Sequence, residues 1–78
     1  MYVYILESKS FSGRFYVGST TDIKQRIRIH NEGLSAHTLK FRPWKIQVCV
    51  WFLDSNKAVE FEKYLKSHSG RAFSKKHF

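Results

Sequence analysis

Cysteine occurs once in these 78 residues, at Cys49, and proline once, at Pro43; acidic residues number six against fourteen Lys and Arg. With one thiol, the chain can form no internal disulfide and no thiolate metal cluster, which fits a reducing compartment. No apolar run approaches the ~20 residues needed to span a bilayer. Met1 leads straight into a strand-like segment without a basic n-region, so no signal peptide is expected. Repeats, low-complexity tracts and linkers are also missing. The expectation is one domain over residues 1–78, soluble and cytoplasmic, with no membrane partner. The shortage of acids leaves a net charge of +8 and a pI near 9.9. Basic residues are spread along the whole chain, so the natural partner is a polyanion, nucleic acid ahead of anionic membrane.

What is present is rich in aromatics, at 17% of residues, and much of this must be packing for a small core. Residues 2–8 and 14–20 are β-branched and aromatic and flank Lys9-Ser10-Phe11-Ser12-Gly13, the pattern of a hairpin with a five-residue loop. Thr21 or Asp22 can cap a helix in which Ile23, Ile27 and His30 form one stripe. Asn31-Glu32-Gly33 ends it, with Gly33 as left-handed C-cap. Residues 34–45 read as loop. A third strand at about 46–53 is apolar enough to be buried on both faces and central, with Cys49 and Trp51 inside it. Asp54-Ser55-Asn56 starts a second helix with Ala58, Phe61 and Leu65 on its inner face. Ser69-Gly70 breaks it, and residues 71–78 form one more short helix. The expected fold is α+β: a hairpin plus one strand in a small three-stranded sheet, flanked by helices in the order β-β-α-β-α-α.

Several residues can carry chemistry. Tyr4 and Tyr16 are either strand packing or phenols at a rim; with an ordinary pKa near ~10, a phenol needs a helper to act as a base. Arg26 and His30 lie at i and i+4, hence on one helix face. A guanidinium there can grip a phosphate, and an imidazole can relay a proton or position water. Arg28 reads as solvated. Glu62 is one of few acids, and its default role is a surface pair with Lys66. His37, Lys40 and Arg42 in the polar loop suit phosphate contacts. Arg71, Lys75 and Lys76 extend the basic surface. Trp44 and Trp51 are available for base stacking, Trp51 less so if its strand is buried.

Over essentially its whole length the chain resembles the GIY-YIG nuclease superfamily, in particular its minimal single-domain members. Tyr2-Val3-Tyr4 and Tyr16-Val17-Gly18 match the two strand motifs. Asp22 through His30 match the arginine-bearing helix, and Glu62-Lys63-Tyr64-Leu65-Lys66 the acidic helix. Gly70-Arg71-Ala72-Phe73 is similar to the ending of the small members. Tyr2 replaces the first motif's glycine, and the asparagine that larger members place after the acidic helix has no counterpart in residues 67–78. The resemblance implies an endonuclease that hydrolyses phosphodiester bonds in DNA. Tyr4, Tyr16, Arg26 and His30 would be catalytic, and Glu62 would hold Mg²⁺ or Mn²⁺. His37, Lys40, Arg42 and Arg71 would contact the nucleic acid. The expected setting is repair or recombination with weak sequence specificity, as a monomer or weak homodimer. The rival is a non-catalytic nucleic-acid-binding module, and a weaker third is a small adaptor docking a protein through its aromatic surface. A pure binder has no need of a carboxylate that repels phosphate.

Overall fold

Alternating side chains in the first twenty positions create a ribbon with two distinct faces. The computed structural model describes all 78 residues. In it, β1 (Tyr2–Ser8) and β2 (Phe15–Thr20) pair antiparallel, from Tyr2 opposite Thr20 to Glu7 opposite Phe15. Gly13 supplies the positive φ, 84°, that the connecting turn requires. After β2 come α1 (Ile23–Asn31), a short 3₁₀ turn (Leu39–Phe41), β3 (Trp44–Trp51), α2 (Ser55–Lys66) and α3 (His68–His77). The order β-β-α-β-α-α and the α+β class are as expected.

β3 pairs antiparallel with β1, so the sheet order is β2-β1-β3 and the central strand is β1. Val3 and Ile5 point to one face and pack with Ala58 and Leu65 of α2, joined by Val17, Val48, Phe61 and Phe73. Tyr4 and Leu6 point to the other face and pack with Trp44, Tyr16, Ile23, Ile27 and Phe41. Helices therefore cover the sheet on both sides, α1 on one and α2 with α3 on the other. None is long and apolar enough to cross a membrane.

The expectation of a central, doubly buried third strand is overturned. β3 is an edge strand, and on the α1 side nothing covers most of it. Cys49 lies opposite Tyr4, Ile46 opposite Leu6 and Trp51 opposite Tyr2, so all three share the face that carries α1. Yet Cys49 is exposed, as are Ile46 at 44% and Trp51 at 56%. α1 is only nine residues long and meets β3 at the Trp44 end, through Asn31 and the packing around Trp44, so an apolar run alone does not reveal which of its faces has a partner. The two tryptophans exchange roles: Trp44 is buried, with its indole Nε1 donating to the Thr38 carbonyl at 3.0 Å, whereas Trp51 packs only edge-on against Tyr2.

A second correction concerns the break between the last two helices, which falls at Ser67 rather than Ser69-Gly70. Ser67 adopts an extended conformation, its hydroxyl donates to the Tyr64 carbonyl at 2.5 Å, and the same oxygen accepts from the Gly70 N–H at 3.1 Å. One side chain thus closes α2 and caps α3. Gly70 lies inside α3, where its first turn presses on the last turn of α2. A Cβ at this position would overlap the Tyr64 carbonyl. Gly70→Ala is therefore expected to destabilise the fold by about 2 kcal/mol or more, read as a fall in melting temperature of roughly 10 °C; a melting point within a degree of wild type would contradict this packing.

Candidate active site

The passage from β2 into α1 takes only two residues, which sets the helix close over the sheet. Thr20 Oγ1 accepts from the Asp22 N–H at 3.1 Å, and the Asp22 carboxylate caps α1 by accepting from the Gln25 N–H at 3.1 Å. At the far end Gly33, with φ of 78°, closes the helix, and the Asn31 side chain pairs with the backbone of Trp44, accepting from its N–H at 2.5 Å and donating to its carbonyl at 3.2 Å. α1 is thereby tied to both outer strands. Its inner stripe of Ile23, Ile27 and His30 faces the sheet as expected, with His30 only 1% exposed.

Tyr4 stands on the central strand directly opposite Gly18 of β2. A Cβ at Gly18 would lie 2.5 Å from the Tyr4 hydroxyl and 3.1 Å from the Tyr16 ring. The glycine thus makes room for one phenol to cross the neighbouring strand. It does not bend the chain, since β2 continues to Thr20. Having crossed, the Tyr4 hydroxyl meets His30 Nε2 at 3.2 Å, and His30 Nδ1 meets Thr38 Oγ1 at 2.7 Å, all within the buried interior. The Tyr16 ring completes the cluster, its centroid 4.9 Å from His30 and 6.4 Å from Tyr4. Tyr16 is half-buried, so it is the phenol that solvent reaches.

Electrostatics keep this cluster neutral. Burial pushes the Tyr4 phenol well above its ordinary range; Tyr16 and Glu62 add to this and the Arg26 charge partly opposes it. Burial, reinforced by Arg26, lowers the His30 pKa. A neutral imidazole has one donor and one acceptor nitrogen. Either Nδ1–H donates to Thr38 and Nε2 accepts the Tyr4 proton, or the Thr38 hydroxyl donates to Nδ1 and Nε2–H donates to Tyr4. The same heavy-atom contacts accommodate both forms, which differ only in the imidazole tautomer and in the direction of the two hydroxyl hydrogens. Arg26, one turn before His30, is exposed at the rim.

Glu62 approaches from the other side of the sheet. Its helix packs on the face carrying Val3, and Ser19, opposite Val3, donates to Glu62 Oε1 at 2.5 Å. Lys66 donates to Oε2 at 2.7 Å, the i,i+4 pair anticipated as a default. Burial alone would raise the Glu62 pKa, but the hydrogen bonds from Lys66 and Ser19 and the Lys66 charge outweigh it and hold the carboxyl below its usual range. Tyr4, Tyr16 and His30 thus form one cluster on the α1 side of the sheet, while Arg26 and Glu62 touch none of them and act on Tyr4 through their charges alone. No group of three or more His, Cys, Asp or Glu gathers to hold a metal, at Glu62 or anywhere else in the structure.

The other candidates scatter. His37, Lys40 and Arg42 are exposed on the segment before β3; Lys40 Nζ lies 5.7 Å from the Phe41 ring centroid, and the Arg42 guanidinium rests against Gly33. Arg71 is on α3, across the sheet from them. Two residues escaped the sequence reading. Ser19 has a signal in its alternation with Gly18, which puts it on the face opposite the phenols. Thr38, fully buried, has none, because it sits in an irregular segment.

A family model described as the GIY-YIG catalytic domain matches residues 1–76. A UPF0213 protein of Halalkalibacterium halodurans is 39% identical over 72 residues, covering 90% of this chain and 73% of the relative. A UPF0213 protein of Streptococcus pneumoniae is 36% identical over 66 residues, 83% of this chain and 65% of its own length. The structure-specific endonuclease subunit SLX1 of Cryptococcus neoformans is 43% identical over 65 residues, 76% of this chain but only 13% of that subunit. No solved structure matches. The chain belongs to the GIY-YIG family, and it spans less than two thirds of the length of the Streptococcus pneumoniae relative and a small part of the endonuclease subunit.

Two outcomes follow from the buried cluster. Because the His30 pKa is lowered in the folded state, the unfolded chain binds more protons just below its ordinary value of about 6.5. Stability should therefore fall as pH drops from 7 towards 5, and denaturant melts of His30→Gln should show a flatter profile. The Glu62 contribution is lost only below its ordinary carboxylate range, so the two are separable. Gly18→Ala should break the Tyr4–His30 contact, read by NMR as a change in the His30 ring resonances; unchanged ring resonances would mean that Tyr4 had not been displaced.

Proposed function

We propose that this domain is a divalent-metal-dependent endonuclease that hydrolyses phosphodiester bonds in DNA. The observation that carries the reading is the placement of Glu62. It is an ionised carboxylate held by Ser19 of β2, the strand that carries Tyr16, and its charge and that of Arg26 both act on Tyr4. Each Glu62 oxygen accepts one hydrogen bond and keeps a further lone pair. That suits Mg²⁺ or Mn²⁺, which retains most of its waters and often takes only one or two carboxylates with substrate phosphate. Such an ion would polarise the phosphoryl oxygen and steady the leaving group.

The chain's own residues then have distinct tasks. Arg26 binds a non-bridging phosphate oxygen and offsets the charge that grows on it. Tyr16, the phenol within reach of solvent, orients the attacking water. Tyr4 is too deeply buried to ionise unaided or to meet the water, so it would relay: Tyr16 takes a proton from the water as its own passes to Tyr4, and the Tyr4 proton passes to His30 Nε2. His30, neutral at physiological pH, is the group able to store that proton. Lys66 must yield part of its hold on Glu62 to the cation. His37, Lys40, Arg42 and Arg71 supply backbone contacts that do not read sequence. The similarity to structure-specific endonuclease subunits supports DNA of particular structure as substrate; a repair or recombination task in the cytoplasm, with the domain acting alone or as a weak homodimer, completes the proposal.

One observation favours a second reading. The Lys66–Glu62 pair neutralises the carboxylate, as it would in a module that binds nucleic acid without cutting. The two are separated by incubating purified protein with single-stranded, duplex, flapped and branched DNA in Mg²⁺ or Mn²⁺. Cleavage abolished by a chelator, and lowered about 100-fold or more by Glu62→Gln and by Arg26→Ala, is the expected result. Salt-sensitive binding with no turnover in either metal would establish the binding module instead.

A further inference from the structure

On the far side of the sheet from the Tyr4–His30 pair, a cleft of about 820 Å³ opens between β2 and the helices α2 and α3. Arg14, Lys66, Arg71 and Lys75 line it, and none of its lining residues is acidic. Two aromatic rings in the same lining are available to a ligand: Phe15, 48% exposed, and Phe78, 40% exposed. Cations that track a backbone beside open aromatic faces are the arrangement that holds unpaired nucleic acid. A duplex has its bases already stacked inward and offers nothing to such rings. The cleft is also continuous with the candidate site. Lys66 lines it while reaching Glu62 at 2.7 Å, and Tyr16 borders both.

We propose that this cleft is a binding site for a single-stranded stretch of nucleic acid. Arg71 and Lys75 contact its phosphates, and bases stack on Phe15 and Phe78. Resting on the nuclease reading for its purpose, the site holds the unpaired strand that flanks the bond to be cut. Strand selection would then lie on the face opposite the phenols, with Lys66 as the link: occupancy of the cleft by phosphate offers Lys66 a second anion and loosens its hold on Glu62. The domain would in this way favour junctions between paired and unpaired DNA.

The test measures affinity by fluorescence anisotropy, with chelator present to prevent cleavage. The probes are a labelled oligothymidylate of about 12 nucleotides and a duplex of equal length. The Arg71→Ala/Lys75→Ala double variant should bind the single strand roughly tenfold more weakly at about 0.1 M salt and lower the slope of log K against log salt by about 1.4, at about 0.7 per lost phosphate contact. Phe78→Ala should weaken it about fivefold without changing the slope. Lys24→Ala/Lys57→Ala removes the same charge outside the cleft and should stay within about twofold on the single strand. Equal losses in both double variants, unchanged binding in the cleft variants, or an equal loss for duplex would overturn the proposal. Should the cleft double variant melt early, Lys75→Gln alone, at an exposed position, should show half the slope change, and no change would count against the site. Strand binding that depends on the cleft, in a protein that never cuts, sinks the nuclease reading and leaves the cleft; cleavage with cleft-independent binding sinks the cleft alone.

Discussion

The phenol of Tyr4 can cross β2 only because Gly18, opposite it, has no side chain, and the candidate site depends on that crossing. From it follows a run of contacts through the interior: Tyr4 to His30, His30 to Thr38, and the Thr38 carbonyl to the Trp44 indole. These four residues come from β1, α1, the segment after α1, and β3. The run therefore does more than orient an imidazole. It joins the central strand to the helix above it and to the edge strand, and no buried side-chain polar atom is left without a partner. The imidazole proposed to take the proton also helps to hold its face of the sheet together.

Around this neutral centre the charges are divided by position. The chain is strongly basic, yet the groups deepest in the site, Tyr4 and His30, are held uncharged by burial. Arg26 is exposed on α1 and Glu62 half-buried on α2, on opposite sides of the sheet, and in the proposed reaction the phosphate would meet this cation and this ionised carboxylate. Ser19 and Lys66 hold that carboxylate charged against the cost of its partial burial. A single oriented acid in a cationic surface suits a site that must accept a polyanion and still bind a divalent ion.

Much of the fold was legible because it rests on local rules. Alternation marks β1 and β2, Asp22 and Asp54 cap their helices, and Gly33 takes the positive φ foreseen for it. Where the sequence misled, the missing information was non-local. The run from Ile46 to Trp51 looks equally apolar on both faces, and only the reach of α1 decides that Ile46, Cys49 and Trp51 stay bare. Ser67 and Gly70 are both plausible breakers; the close packing of α3 on α2 makes the first a cap and the second a spacer. Thr38 carries no local mark at all, since its role exists only through the imidazole it meets.

The residue types, their order and their helical or strand spacing determined the class of the domain and the identity of its candidate residues. Period-2 and period-3.6 patterns, caps and a matching family order act over a few residues each and survive in one dimension. Tertiary structure alone decided which phenol is sealed and which meets water, that Glu62 is held by Ser19 on the face opposite the phenols, and that a basic, aromatic cleft lies on that face. Those outcomes depend on burial and on how separate elements pack against the sheet, and both are properties of the folded surface rather than of any stretch of chain.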